Sequence, residues 1–556
     1  MAKNILTIKY DREKLIDKYR NMVYQDDAYK TTLLFNRLRE NDISNFGSGD
    51  QTRFLLYQVV VYGRLGAHAM EADLLLKVLT DEKFVGFDAI GVLNRLSTYF
   101  GFLLGVDVYD YYLNFLKDRF SDEQRLLDIR QKPLEKKLSS ELHFVDDEDY
   151  AYTCVLDKLS KGDYHGAMTE IGGNKQEGCK DYKVKNLEIA MLLSLRMNDE
   201  AKKQLEELES MSCDEVEFFA NYYQLAKVDK TLSRKVINLI ENSGKLNSFY
   251  ELSVMLASLY VSENEFLKAV AILKGIKGIK RNCLEVLTIL AECYQALGKR
   301  SELVQVLRQI SVIYPYEIWA RYFLIKDAEG ETFELSNNIG GFLKTQKKDL
   351  KKYLAKKLRL TKNFDELSQE EVVFLFKASE EAGDHSLTKQ MLERIYNSRH
   401  IGVLFDGLIS IQTGPITMQL ILQVLIENKY AGEFYVLKDC LLQKHQLAFP
   451  VLFKENSLDD DIEKKKYLLS CYAQTYSLLF FMGFDVVGLD SKLDEILTKL
   501  YSIKLLDDSY LFRAECVVYI LCNFLHNENE YIENSFKYLK KEDKENLLEI
   551  LKKLNN

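Results

Sequence analysis

The sequence predicts an all-α protein, an α-solenoid of antiparallel helix pairs with little or no β structure, on three observations. Proline accounts for only 4 of 556 residues, against a usual share of about 5%. Proline removes a backbone donor and clashes inside a helix, so long helices joined by brief turns carry little of it. Leu, Lys and Glu, all good helix formers, are abundant. A helix-compatible block also repeats at a fixed offset: Leu256, Ala257 and Tyr260 recur 34 residues later as Leu290, Ala291 and Tyr294.

Each position in that block has a packing reason. A small residue at Ala257 or Ala291 lets a second helix approach the first closely, and Tyr260 or Tyr294 fills the gap beside it. On the second helix Ala269 is the small contact and Leu273, matched by Leu307, is its large neighbour one turn on. Pro315 stops the second copy. This pattern resembles the tetratricopeptide repeat, whose period is about 34 residues. It departs from that pattern at Ser253 and Leu287 (the Trp position), at Leu303 (the second Ala) and at Arg281 (the Pro), as in a diverged member.

Weaker helix pairs flank the block. Val59 to Leu65, Gly66 and Ala69 to Leu79 form one, and Gly162-Asp163-Tyr164 with Ala167 and Ile171 another. Ala190 and Leu193 with Ala201 to Leu208 form a third. Ala220 and Tyr223 open a fourth, out of step with Ala257 and Tyr260, so that spacing is irregular. Val372 to Ala382, Gly383-Asp384 and Leu387 to Tyr396 repeat the rhythm. The acidic stretch Leu138 to Asp149 and the breaker-rich stretch Asp327 to Gly341 interrupt it. They divide the chain into a helical block at 1–137, the repeats at 148–335, and a helical block at 342–556. The last block ends in an amphipathic cap at Lys540 to Leu554.

Composition excludes several function classes. With 47% apolar and 29% charged residues the chain is not disordered. Its net charge of −9 disfavours a general grip on phosphate backbones. Nine scattered cysteines without a CxxC pair read as reduced thiols of a cytoplasmic protein. No apolar signal core is expected at the N-terminus, and the most apolar stretch, Tyr476 to Leu489, is too short to span a membrane. Seven histidines are spread without metal-ligand spacing, and phosphate-loop, nucleophile-elbow and kinase motifs are absent. The expectation is therefore no enzyme, no metal and no cofactor.

The resemblance implies a concave groove lined by the first helices, in which a partner peptide or helix lies. In that register the groove residues are Glu251, Val254, Ser258, Glu285, Thr288, Glu292 and Gln295, with Trp319 and Tyr322 entering from the next helix. Relatives that clamp acidic chaperone tails use lysine and asparagine where this chain has Val254, Ser258, Thr288 and Glu292. The expected partner is thus a neutral to basic segment with an apolar anchor, and Trp319 is either a hot spot or buried between helix pairs. Beside this scaffold reading stand a ligand- or peptide-sensing regulator and an RNA-associated adaptor. The adaptor would use the basic stretch Lys344 to Lys362, with Lys347, Lys348, Lys351, Lys352, Lys356 and Lys357 as a polyanion patch. The plainer reading of that stretch is a packed helix with a solvated lysine face.

Overall fold

A computed structural model describes residues 16–25, 27–41, 47–81, 84, 87–104, 108–120, 166–167, 169, 182–330, 344–447 and 462–481. Among these residues the chain is helical apart from turns and one β-hairpin. The cap expected at Lys540 to Leu554, the acidic connection at Leu138 to Asp149 and nearly all of the pair around Gly162 lie outside the described residues. Contacts divide the chain into two compact units, Met1–Gly341 and Phe342–Asn556.

In the first unit, helical residues at 16–23 precede α1 (Ala28–Asn41), α2 (Ser48–Leu65), α3 (His68–Thr80), α4 (Ala89–Leu104) and α5 (Tyr109–Arg119). Gly66, in the left-handed region at φ 78°, closes α2 and lets α3 fold back on it. After them come helix pairs at a fixed period. The first helices α6 (Tyr182–Ser194), α8 (Val216–Val228), α10 (Tyr250–Ser262) and α12 (Leu284–Ala296) are each 13 residues long, and their starting positions are evenly spaced at the period read from the sequence. The second helices are α7 (Asn198–Ser210), α9 (Ser233–Asn242), α11 (Phe266–Gly275) and α13 (Arg300–Ile313). A final first helix, α14 (Ile318–Ala328), begins one further period on.

The buried sides keep the same period. Leu252, Ser253, Leu256, Ala257, Leu259 and Tyr260 of α10 map one for one onto Val286, Leu287, Leu290, Ala291, Cys293 and Tyr294 of α12. One period earlier the same slots hold Phe218, Phe219, Tyr222, Leu225 and Ala226, all buried in α8. A period before that they hold Val184, Glu188, Met191 and Leu192, all buried in α6. The irregular spacing read from Ala220 and Tyr223 is thus corrected: both are only half-buried, and Tyr222 and Ala226 face inward instead. The period extends through four first helices.

Polar residues at inward positions hide that period from the sequence. Glu188 occupies the slot that Leu256 and Leu290 fill later, and its carboxylate accepts from Gln204 Nε2 at 2.8 Å. Asn221 Nδ2 donates to the Asn186 carbonyl at 2.8 Å, tying α8 to α6. Tyr222 and Tyr260 both donate their hydroxyls to a carboxylate near the end of the preceding second helix, Glu209 and Glu241 respectively. The turns repeat as well. Arg196, Asn264 and Gly298 all adopt positive φ (61°, 60° and 67°) at the same point of the period. Asparagine and glycine suit that conformation, and arginine does not.

The N-terminal helices pack onto these pairs. α1 lies against α13, and α2 against the 3-10 turn Gly278–Asn282. Cys283 Sγ donates to the Leu65 carbonyl at 3.2 Å, and Arg281 pairs with Asp27 at 3.9 Å.

The second unit contains α15 (Lys344–Leu360), α16 (Gln369–Ala382), α17 (His385–Tyr396), α18 (Gly402–Leu408), α19 (Pro415–Glu427) and α20 (Ile462–Phe481). A capping box between Ser368 and Glu371 starts α16, and Gly383 at φ 63° ends it. Asp384 then caps α17 by accepting from Leu387 N. The buried ammonium of Lys377 donates to Glu380, the Gln412 carbonyl and Thr413 Oγ1, while Glu380 accepts from Gly414 N, so the turn before α19 is pinned to α16. Strands β1 (Glu433–Lys438) and β2 (Leu441–Gln446) form an antiparallel hairpin. Its two-residue turn, Asp439-Cys440, has positive φ at both positions, which matches the strand twist. His445 on β2 is buried against Phe434 and Phe480 and bonds to Tyr476 Oη at 2.8 Å.

Two sets of substitutions test this packing. Ala291 is fully buried, so Ala291→Trp is expected to lower unfolding stability by about 1–3 kcal/mol or more through overpacking. At the turns, Arg196→Gly is expected to raise the denaturant midpoint and Gly298→Val to lower stability by about 1–2 kcal/mol, because a side chain opposes the left-handed conformation. Unchanged midpoints would show the register or the turn geometry to be different.

Candidate partner-binding site

The site expected from the sequence lies on the first helices of the pairs. α8, α10 and α12 stand side by side, and Tyr223 Oη of α8 donates to Ser258 Oγ of α10 at 2.8 Å across the gap between them. Because the inward positions are taken by Leu256, Ala257, Leu290 and Ala291, a helical period turns the remaining positions outward. Glu251 and Glu285 are exposed, and Val254, Ser258, Thr288, Glu292 and Gln295 are half-exposed. These seven residues thus share the outward side of α10 and α12.

Trp319 and Tyr322 do not join them. Trp319 is 8% exposed and Tyr322 is fully buried. The buried side of α14 includes Trp319, Tyr322 and Phe323, each two positions earlier than the period would place the counterparts of Leu287, Leu290 and Ala291. That phase shift, about 200° of helix rotation at 3.6 residues per turn, carries the indole inward. Its Nε1 donates to Glu317 Oε2 at 2.9 Å. The apolar surface on the outward side comes instead from Met255 and Ile289, half-exposed and one period apart.

The register adds a residue that sequence reading missed. Glu217, exposed in the first turn of α8, stands one period before Glu251 and two before Glu285. Three carboxylates therefore occupy the same helical position on three neighbouring helices. The period itself was the signal for Glu217, and the false spacing from Ala220 and Tyr223 concealed it.

These charges shape their surroundings. Burial pushes the Tyr250 hydroxyl up to about 12, with smaller contributions from Cys283, Glu251 and Glu285. Burial likewise pushes the Cys283 thiol up to about 11, so it remains the hydrogen donor to Leu65. Farther along α12, burial alone raises the Glu292 carboxyl above the ordinary glutamate value. The adjacent Cys293 thiol, fully buried, is pushed up to about 12 by desolvation and then by Glu292. Among the described residues Glu292 is in no ion pair.

In the second unit, the lysines of α15 divide into two sets. Lys347 pairs with Glu381 at 3.0 Å and Lys351 with Asp384 at 3.8 Å, fastening α15 to the turn between α16 and α17. Lys348, Lys352 and Lys356 are exposed, and Lys357 is half-buried. Near the N-terminus, a cavity of about 610 Å³ opens between α2, α3 and α4. Its wall carries Glu71, 8% exposed and held by Arg95 and by His68. Gly63 makes room for that pair: a Cβ there would meet Glu71 Oε1 at 3.0 Å. Glu71 and Arg95 come from different helices, so no local pattern announced them.

No family model matches the chain, and no curated protein matches it. Among the described residues no helix is long and apolar enough to cross a membrane, and no group of three or more His, Cys, Asp or Glu is arranged to hold a metal ion.

The Glu292 environment yields a pH test. The native carboxyl keeps its proton to higher pH than the unfolded chain, whose value is about 4.3. Native stability therefore falls as pH rises through that interval. Glu292→Gln removes the penalty and is expected to raise the thermal midpoint at pH 7, with the gain vanishing below about pH 4. A gain that persists unchanged at low pH would place its origin elsewhere.

Proposed function

We propose that the chain is a non-catalytic scaffold whose helix pairs are diverged tetratricopeptide units and whose first helices form a groove for a basic segment of a partner protein. The observation that supports this most is the row Glu217, Glu251 and Glu285, all exposed and each one period from the next. Packed helices lie about 8–10 Å apart, so the row offers a carboxylate about every 10 Å. A chain in the polyproline II conformation advances about 3.1 Å per residue with about three residues per turn. A peptide laid across the helices in that form brings every third residue opposite a carboxylate.

The rest of the surface fits such a guest. Met255 and Ile289 offer apolar contact between the acidic row and Glu292. Glu292 is half-buried and uncompensated, so a lysine or arginine placed there relieves its desolvation. Acidic tails are repelled by the same row. Rim charges of this kind act chiefly on association rate and register.

The test measures binding of fluorescent peptides to the whole protein at low and moderate salt. A peptide with lysine at every third position and leucine between is expected to bind, and its glutamate counterpart is not. Glu251→Lys with Glu285→Lys is expected to weaken the basic peptide at least tenfold without changing helicity. Reversing Glu206 and Glu207, exposed on α7, is expected to leave it unaltered. Equal losses from both double reversals would remove the groove from consideration.

A further inference from the structure

The basic side of α15 is not accounted for by a groove on the first unit. Its apolar residues Leu350, Leu354 and Leu358 are 0%, 0% and 8% exposed, so that side is committed to packing. Lys347 and Lys351 serve the fold through Glu381 and Asp384. What remains is a file of exposed cations along the outward side: Lys348, Lys352, Lys356 and Arg359. The three lysines are spaced by four residues, about 6 Å along the axis. The acid beside them is Asp349, exposed and 3.3 Å from Lys352. Like charges four residues apart destabilise a helix, so this file works against the helix that carries it.

We infer that this ridge is a second binding site, for the phosphodiester backbone of nucleic acid. Three observations favour that partner class. An interfacial membrane helix needs an apolar side to bury in lipid, and here that side is inside the protein. Protein interfaces are depleted in lysine and draw their energy from aromatic and arginine anchors. The ring of Tyr353, half-buried, lies edge-on to Phe374 at 6.4 Å. The ridge also lacks a ring for base stacking, so the contact is with phosphates and is indifferent to sequence.

The net charge of −9 does not oppose this locally. Exposed charges beyond a Debye length of about 8 Å at physiological salt are largely screened. Glu381 and Asp384 are matched by Lys347 and Lys351, and Asp349 shares Lys352 with the ridge. Four phosphate contacts imply that log K falls with log salt at a slope of about −3 for a single strand and slightly steeper for a duplex.

The experiment uses the full chain and fluorescence anisotropy with three labelled probes from low to physiological salt: a uridine RNA of about two helical turns, a DNA duplex of similar length, and phosphatidylserine-containing vesicles. Both nucleic acids are expected to bind at low salt with slopes near those values, and the steeper of the two identifies the duplex arm. Each of Lys348→Gln, Lys352→Gln and Lys356→Gln is expected to reduce the slope by about 0.7–0.9, and the triple variant to lose binding at least tenfold. A control triple at the exposed Lys203, Lys230 and Lys277 is expected to change neither slope nor affinity. Circular dichroism verifies that each variant keeps its helicity. Failure of both nucleic acids to bind at low salt overturns the site, as does binding that the ridge triple leaves intact. Retention on vesicles without nucleic-acid binding assigns the ridge to lipid and overturns it too.

Discussion

Close contact between neighbouring helix pairs is the constraint on which the first unit depends. Ala257 and Ala291 are fully buried between their own helix pair and the next, and Tyr260 and Tyr294 are nearly so, while one and two periods earlier the alanine slot takes the half-buried Tyr223 and the buried Ile189. Each pair meets only its neighbours in this scheme, so the first helix of each must recur at the same interval for the array to continue. The first helices do so to the residue, starting at 182, 216, 250, 284 and 318. Even the turn conformation repeats, with an arginine at position 196 held in a backbone region that suits glycine.

The same constraint builds the candidate groove. With inward positions committed to packing, whatever occupies the outward positions is presented at a fixed pitch. Glutamates at 217, 251 and 285 become a regular row without any contact between them. Met255 and Ile289, and then Ser258 and Glu292, line up for the same reason. Where the phase slips, the presentation fails. In α14 the buried residues come two positions early, and the one tryptophan of the chain turns into the core.

Legibility followed chemistry along the chain. Two successive copies were readable where the inward residues were apolar and alike, as in Leu256-Ala257 and Leu290-Ala291. They were unreadable where a polar residue had taken an inward slot and found a partner there, as with Glu188 on Gln204. A buried polar side chain is tolerated when hydrogen-bonded, but it erases the apolar period that pattern reading relies on. In the second unit, the Gly383-Asp384 turn was plain because αL glycine and an N-cap aspartate are local signals. The hairpin at 433–446 was not, since its turn, Asp439-Cys440, lacks the glycine that marks such turns.

By itself the sequence determined the helical class, the repeat period of two pairs and the charge character of the exposed sides. These follow from local propensity and from periodicity, which act over a few residues at a time. Only the tertiary structure decided which residues of each helix face inward, and therefore that Glu217 belongs with Glu251 and Glu285 while Trp319 does not. It also decided that Lys347 and Lys351 are tied to Glu381 and Asp384, leaving Lys348, Lys352 and Lys356 outward. Those outcomes depend on which helices pack together, and a slip of two positions in phase is enough to reverse the facing of a side chain.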